Sequence, residues 1–184
     1  SDDGLIIAEQ DNLLGITTNF SISAWVNIDS NNNQSTISIF DGESTNSSNP
    51  IKNSGYGLRV LDGQLNLFVG TGNLSNSWWS SGFPLPTDQW VHVSGTRNSN
   101  LLSLYVNGQP IKTFNTAPTN PIEFYGDTYD HNRYQIGLLD PNGLNGPHFE
   151  FHGQIRNVGV WARAISDAEV LLLSSTDFEQ SIVG

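Results

Sequence analysis

Through most of this chain, apolar side chains recur at every second position. In FSISAWVNI, residues 20 to 28, Phe20, Ile22, Ala24, Val26 and Ile28 share one face, while Ser21, Ser23, Trp25 and Asn27 share the other. This is the period of a strand with one dry and one wet face; a helix would place its apolar residues three and four apart. Clusters of Gly, Asn and Pro interrupt the alternating segments. GYGLRVL and QLNLFVG flank Asp62-Gly63, and LLSLYVNGQPI carries Asn107-Gly108. Both dipeptides accept the positive φ angles of a type I′ hairpin turn. The pattern predicts a many-stranded antiparallel protein, and 184 residues suit one domain across 1–184. Only ISDAEVLLLSS, residues 165 to 175, changes to helical spacing, and Ser166 followed by Glu169 forms a capping-box pattern at its start.

Charge narrows the partners. Seven basic against eighteen acidic residues give a net charge of -11, which repels nucleic acid and anionic surfaces and favours a neutral glycan or a cation. The absence of cysteine removes disulfides and thiol catalysis. No apolar run approaches the length of a membrane span, so membrane insertion is not expected. The opening SDDGLIIAEQ has neither a basic region nor a signal-type apolar stretch. The expectation is a module cut from a larger protein. Abundant Asn, Ser, Thr and Gly with few Lys and Glu match the composition of bacterial extracellular β-proteins, which points to a secreted or cell-surface location.

Three stretches resemble a known family. NFSISAWVNIDS (19–30), QWVHVSGTRNSNLLSLYVNGQPI (89–111) and FHGQIRNVGVWARAISDAEV (151–170) are similar to the opening core strand, the Trp-x-His-Val hairpin and the closing strand with its helix in laminin-G-like domains. These belong to the concanavalin A-like superfamily, with the pentraxins as relatives. The resemblance implies an all-β, two-sheet antiparallel jelly-roll sandwich with one short C-terminal helix, and makes His92 a structural strand histidine. Bacterial members often carry an Asp-Asp pair after Gly-x-Ile, where this chain has Arg156 and Asn157. Pentraxin-like members gather calcium ligands in the stretch matching QIGLLDPNGLNG (135–146). Leu138 and Leu139 occupy ligand positions there, which leaves Asp140 and Asn142.

Calcium takes six to eight hard oxygens, and Asp41, in Phe40-Asp41-Gly42-Glu43, is a further candidate ligand beside Asp140 and Asn142. The same residue types favour ordinary turns for backbone reasons. His148 and His152 are four apart, a separation of about 13 Å on a strand, too long to share one metal.

Two stretches suit a sugar. Residues 125 to 134 concentrate Tyr125, Asp127, Tyr129, His131, Arg133 and Tyr134. Aromatic faces that pack on a sugar ring, flanked by planar polar groups, are the usual means of holding one. The alternative is that two of these aromatics pin the loop to the sandwich. In SNSWWSSGF, Trp78 and Trp79 are adjacent, so on a strand they point to opposite faces. One belongs to the core and the other is a candidate platform; a one-residue bulge would exchange them.

Reaction chemistry is sparse. Glucanases of this superfamily place acid and nucleophile on one strand in E-x-D-x-x-E or E-x-D-x-E patterns, and no such run occurs here. The lyase motifs of the superfamily, G-x-S-x-G, H-E-x-x-H and phosphate-binding Gly-Lys loops are also missing. The expectation is a noncatalytic carbohydrate-binding module, with calcium as a candidate cofactor. Its alternatives are a calcium-dependent adhesion module that binds protein, and a polysaccharide-active enzyme.

Overall fold

The computed structural model describes residues 5–9, 15–31, 36–46, 52–72, 78–123, 133–137 and 151–175. In chain order the strands are β1 (Leu5–Glu9), β2 (Phe20–Ile28), β3 (Thr36–Asn46), β4 (Lys52–Leu61), β5 (Gln64–Thr71), β6 (Trp78–Pro84), β7 (Trp90–Asn98), β8 (Leu101–Val106), β9 (Gln109–Phe114), β10 (Arg133–Ile136) and β11 (Gly153–Trp161). The helix α1 spans Asp167–Ser175. A six-stranded sheet runs β1-β10-β3-β4-β5-β6 and a five-stranded sheet runs β11-β2-β7-β8-β9. Neighbouring strands are antiparallel throughout. This is the two-sheet antiparallel jelly-roll sandwich that the sequence implied.

The alternating apolar residues meet between the sheets. Phe20, Ile22, Ala24, Val26, Val93 and Leu104 from the five-stranded sheet are buried in one cluster with Leu58, Val60, Leu65, Leu67 and Val69 from the six-stranded sheet. The two layers approach closely at Gly95, where a Cβ would lie 2.6 Å from Leu67 Cδ1 and 3.2 Å from Leu58 Cδ1. Glycine there sets the spacing. Leu104→Ala should cost about 2–5 kcal/mol by leaving a cavity, with Val93→Ala following in the same direction. In urea unfolding, losses below about 0.5 kcal/mol at both positions would mean that this face is not core.

The turns form where the dipeptides place them. Asp62 and Gly63 have φ of 48° and 75°, and Asn107 and Gly108 have 48° and 76°. Helix α1 starts in the expected capping box: Ser166 N donates to Glu169 Oε2 at 2.7 Å, and Glu169 N donates back to Ser166 Oγ at 3.3 Å. Its Val170 is buried with Tyr105 and Ile165 in a second, smaller cluster. The polar stretch from Ser44 to Ser54 reads from sequence as a mobile loop; at its two ends Ser44↔Ser54, Thr45↔Asn53 and Asn46↔Lys52 are instead ladder pairs extending β3 and β4, and residues 47–51 lie outside the described residues. A ladder is made of backbone groups and needs no apolar face.

Candidate functional site

Strand β6 edges the six-stranded sheet and carries the tryptophan pair. Trp79 points inward, packs against the core and meets Phe114 of β9 edge-on, with ring centroids 5.0 Å apart. Trp78 points outward. Its indole lies against Phe68, with centroids 4.6 Å apart, and Arg59 Cζ sits 4.5 Å from its ring centre. After these contacts 37% of Trp78 remains exposed. The strand is bulged, but between Ser80 and Pro84, where Gly82 adopts φ of 68°. The pairs Phe68↔Trp78 and Leu67↔Trp79 lie outside that irregularity, so the simple alternation holds for both indoles.

The register builds two rows across this outer face. One row is Gln135–Asp41–Gly57–Phe68–Trp78, and the next is Ser38–Arg59–Asn66–Ser80. Ser38, Arg59, Asn66 and Gln135 are all buried, Arg59 to 5% exposure. Two residues along β6 from Trp78, Ser80 Oγ donates to Gln64 Oε1 at 2.8 Å. Sequence reading missed Arg59. In GYGLRVL it occupies an ordinary wet-face position, and only the cross-strand register puts its guanidinium under an indole.

Of the loop candidates, Tyr125, Asp127, Tyr129 and His131 lie outside the described residues. Arg133 opens β10 opposite Glu9. Tyr134 is 3% exposed and packs with Phe40 and Tyr56 in the core, so one aromatic of this stretch does anchor the chain to the sandwich. The base of the stretch is fixed on the sheet. Gly55 N donates to Glu123 O at 2.8 Å, and Glu123 N donates to Gly70 O at 3.0 Å. Gly70 is two residues along β5 from Phe68, the partner of Trp78. Because Gln135 pairs with Asp41 and Gly55 with Glu43, Arg133 returns at that same end of the sheet.

Asp140 and Asn142 lie outside the described residues, as does His148. Their stretch is closed at its base by Phe151 N donating to Gly137 O at 2.8 Å. Asp41 stands within β3 between Gln135 and Gly57, in strand rather than turn. Among the described residues no three His, Asp or Glu side chains gather around a common point.

A serine and a histidine do meet. Ser23 Oγ and His92 Nε2 are 2.7 Å apart, and both residues are buried, His92 to 1% exposure. No carboxylate among the described residues orients the imidazole, and no approach to the hydroxyl is open. The pair is a cross-strand link between β2 and β7. Burial pushes the His92 imidazole down to about 4, so the folded state holds it neutral while the unfolded chain takes up a proton near 6.5. This contribution to stability is full above pH 6.5 and is lost as pH falls towards 4. The protein should lose about 3 kcal/mol over that interval through this group, and His92→Gln should flatten the slope measured by urea unfolding at stepped pH.

Comparison with known proteins agrees with this architecture. The family model Laminin_G_3, described as the concanavalin A-like lectin/glucanases superfamily, matches residues 1–171. No curated protein matches the sequence significantly. Among solved structures, a Bacteroides ovatus protein assigned to carbohydrate binding superposes with a TM-score of 0.65 at 19% identity, over 92% of this chain and 44% of its own. Domain 4 of AbnA, an extracellular arabinanase of family GH43 from Geobacillus stearothermophilus in complex with arabinotriose, superposes with a TM-score of 0.62 at 19% identity, over 94% of this chain and 72% of its own. A heptameric SAP-like pentraxin from Limulus polyphemus gives 0.54 at 22% identity, over 87% and 73%. At these identities the likeness is one of fold, and the chain spans less than half the length of the first of these structures. The family match over nearly the whole chain, together with the two-sheet jelly roll, makes this protein a laminin-G-type member of the concanavalin A-like lectin/glucanases superfamily.

Proposed function

We propose that this chain is a noncatalytic carbohydrate-binding module of a secreted or cell-surface protein, with Trp78 as its platform. The observation that carries this reading is the exposed Trp78 indole, braced by Phe68 and Arg59 on the outer face of the six-stranded sheet. The apolar side of a sugar ring stacks on such an indole, while Ser80 and Gln64 are suited to hydrogen-bond its hydroxyls. The base of residues 124–132 beside Gly70 supports including Tyr125, Asp127, Tyr129, His131 and Arg133 in the same site. The ligand class draws further support from the arabinotriose held by the arabinanase domain.

Glycan-array binding should be strong for the wild type, lost in Trp78→Ala and reduced in Tyr129→Ala. Normal binding by both variants would remove the aromatic site from the account. No release of reducing ends is expected from any polysaccharide in a broad panel, and release from one would make the protein an enzyme. Calcium enters as a stabilising ion held through Asp140 and Asn142, because an ion bound only by the native state raises its melting temperature. EDTA should lower the melting temperature of the wild type and have little effect on Asp140→Ala. An unchanged melt, with metal-free protein on elemental analysis, would remove calcium.

A further inference from the structure

The opposite side of the sandwich carries a second aromatic cluster. On the outer face of the five-stranded sheet the register aligns Gln154, Asn27 and Trp90 in one row, and Arg156, Trp25 and His92 in the next. Rows on one face of a sheet are about 7 Å apart. Arg156 Cζ sits 4.3 Å from the ring centre of Trp90 and 5.6 Å from that of Trp25, and His92 meets Trp25 edge-on at 5.5 Å. Trp25, Asn27, Trp90 and Arg156 are each half-buried. The hydrophobic core uses none of them.

Two polar atoms of this cluster, Trp25 Nε1 and Asn27 Oδ1, have no hydrogen-bond partner among the described residues. The indole nitrogen can only donate and the amide oxygen can only accept. Both stand on the same face of β2, two residues apart. Buried polar groups are costly when unanswered, and hydroxyls can answer each, a lone pair accepting from the indole and a hydroxyl hydrogen donating to the amide. A trapped water would do the same. A hydroxyl carried by a sugar ring differs in bringing an apolar face that stacks on Trp90, where the planar Arg156 guanidinium now lies.

We propose that this face is a second ligand site, for a neutral polyhydroxylated ring such as a pyranose or furanose, separate from Trp78 and opened when Arg156 swings off the indoles. The net charge of -11 argues against an anionic ligand. Sites on opposite faces would let one module bridge two glycan strands.

The test is a titration of the ¹⁵N-labelled chain, following the indole N–H signals of its five tryptophans, with arabinotriose, cellotriose and mannotriose as probes. The expected result is a saturable downfield shift of the Trp25 signal, with Trp90 moving at the same concentrations, in the wild type and in Trp78→Ala alike. Trp90→Ala should abolish the Trp25 response, Trp90→Phe should keep most of it, and Arg156→Ala should tighten it several-fold. A Trp25 signal unmoved by all three sugars at their solubility limits overturns the proposal, whether or not Trp78 responds. Loss of the Trp25 shift in folded Trp78→Ala overturns it too, because only one site would then exist. The Trp78 signal reports separately on the reading under Proposed function.

Discussion

Replacing Trp79 with alanine should lower stability by about 3 to 5 kcal/mol, whereas the same change at its neighbour Trp78 should cost about 1 kcal/mol or less. Trp79 fills the seam where the edges of the two sheets meet, against Phe114 and the main core. Its removal leaves a cavity bounded by two different sheets, and neither can close it without shifting the other. Among the described residues, the ring contacts of Trp78 are with Phe68 and Arg59 on the outer face. Urea unfolding of the two variants with an unchanged slope separates the outcomes. Equal losses at both positions would mean that the indoles share one environment, contrary to the alternation along β6.

Arg97→Met should cost about 3 to 5 kcal/mol although it replaces a charge with a similar apolar volume. Arg97 is 0% exposed at the end of β7. Its Nη2 donates to the carbonyl oxygens of Pro118 and Asn120, each at 2.7 Å, and its Nε donates to Ser99 O at 3.3 Å. Burial lowers the pKa of the guanidinium, but from so high a starting value that the group stays charged, held by carbonyl dipoles. Methionine would leave those carbonyls without their donor and would remove the link that ties residues 118–120 to the end of β7. The segment they belong to continues into Ile122, whose N–H donates to Thr17 O, and Glu123, whose N–H donates to Gly70 O. Hydrogen exchange at these two amides should therefore quicken in Arg97→Met. Unchanged exchange there, with a stability loss below about 1 kcal/mol, would show that the arginine is not the pin.

Sequence alone disclosed the parts of the fold that are local. The alternation of residues 20 to 28, the two tight turns and the capping box each depend on residues within a few positions of one another, and all four form as expected. It also required one tryptophan of the pair to face inward, and only the register along β5 decided that this is Trp79. Arg97 is different. In HVSGTRN it reads as a polar strand end, because the carbonyls that hold it come from a loop 21 and 23 residues away. Tyr134 likewise reads as a loop aromatic, since its neighbours Phe40 and Tyr56 are far from it in sequence. The candidate site was legible as a composition of aromatic and planar polar residues. Arg59 escaped notice because a buried guanidinium on a wet-face position has no local signature.

The pairing of early strands with late ones sets a schedule for folding. Among the described residues β1 pairs only with β10, through Leu5↔Ile136, and β2 lies between β7 and β11, with Ile28 opposite Gly153. During synthesis, the first core strand therefore has no partner until residues near 90 have been made, and the five-stranded sheet lacks its last edge until residues near 160 follow. Pairings of such long sequence separation impose a large loop-closure cost before any contact rewards it, and place a chain among slow folders of milliseconds to about seconds. A ribosome-bound chain ending before β11 would present the open edge of β2, with its alternating apolar face, to whatever else is nearby.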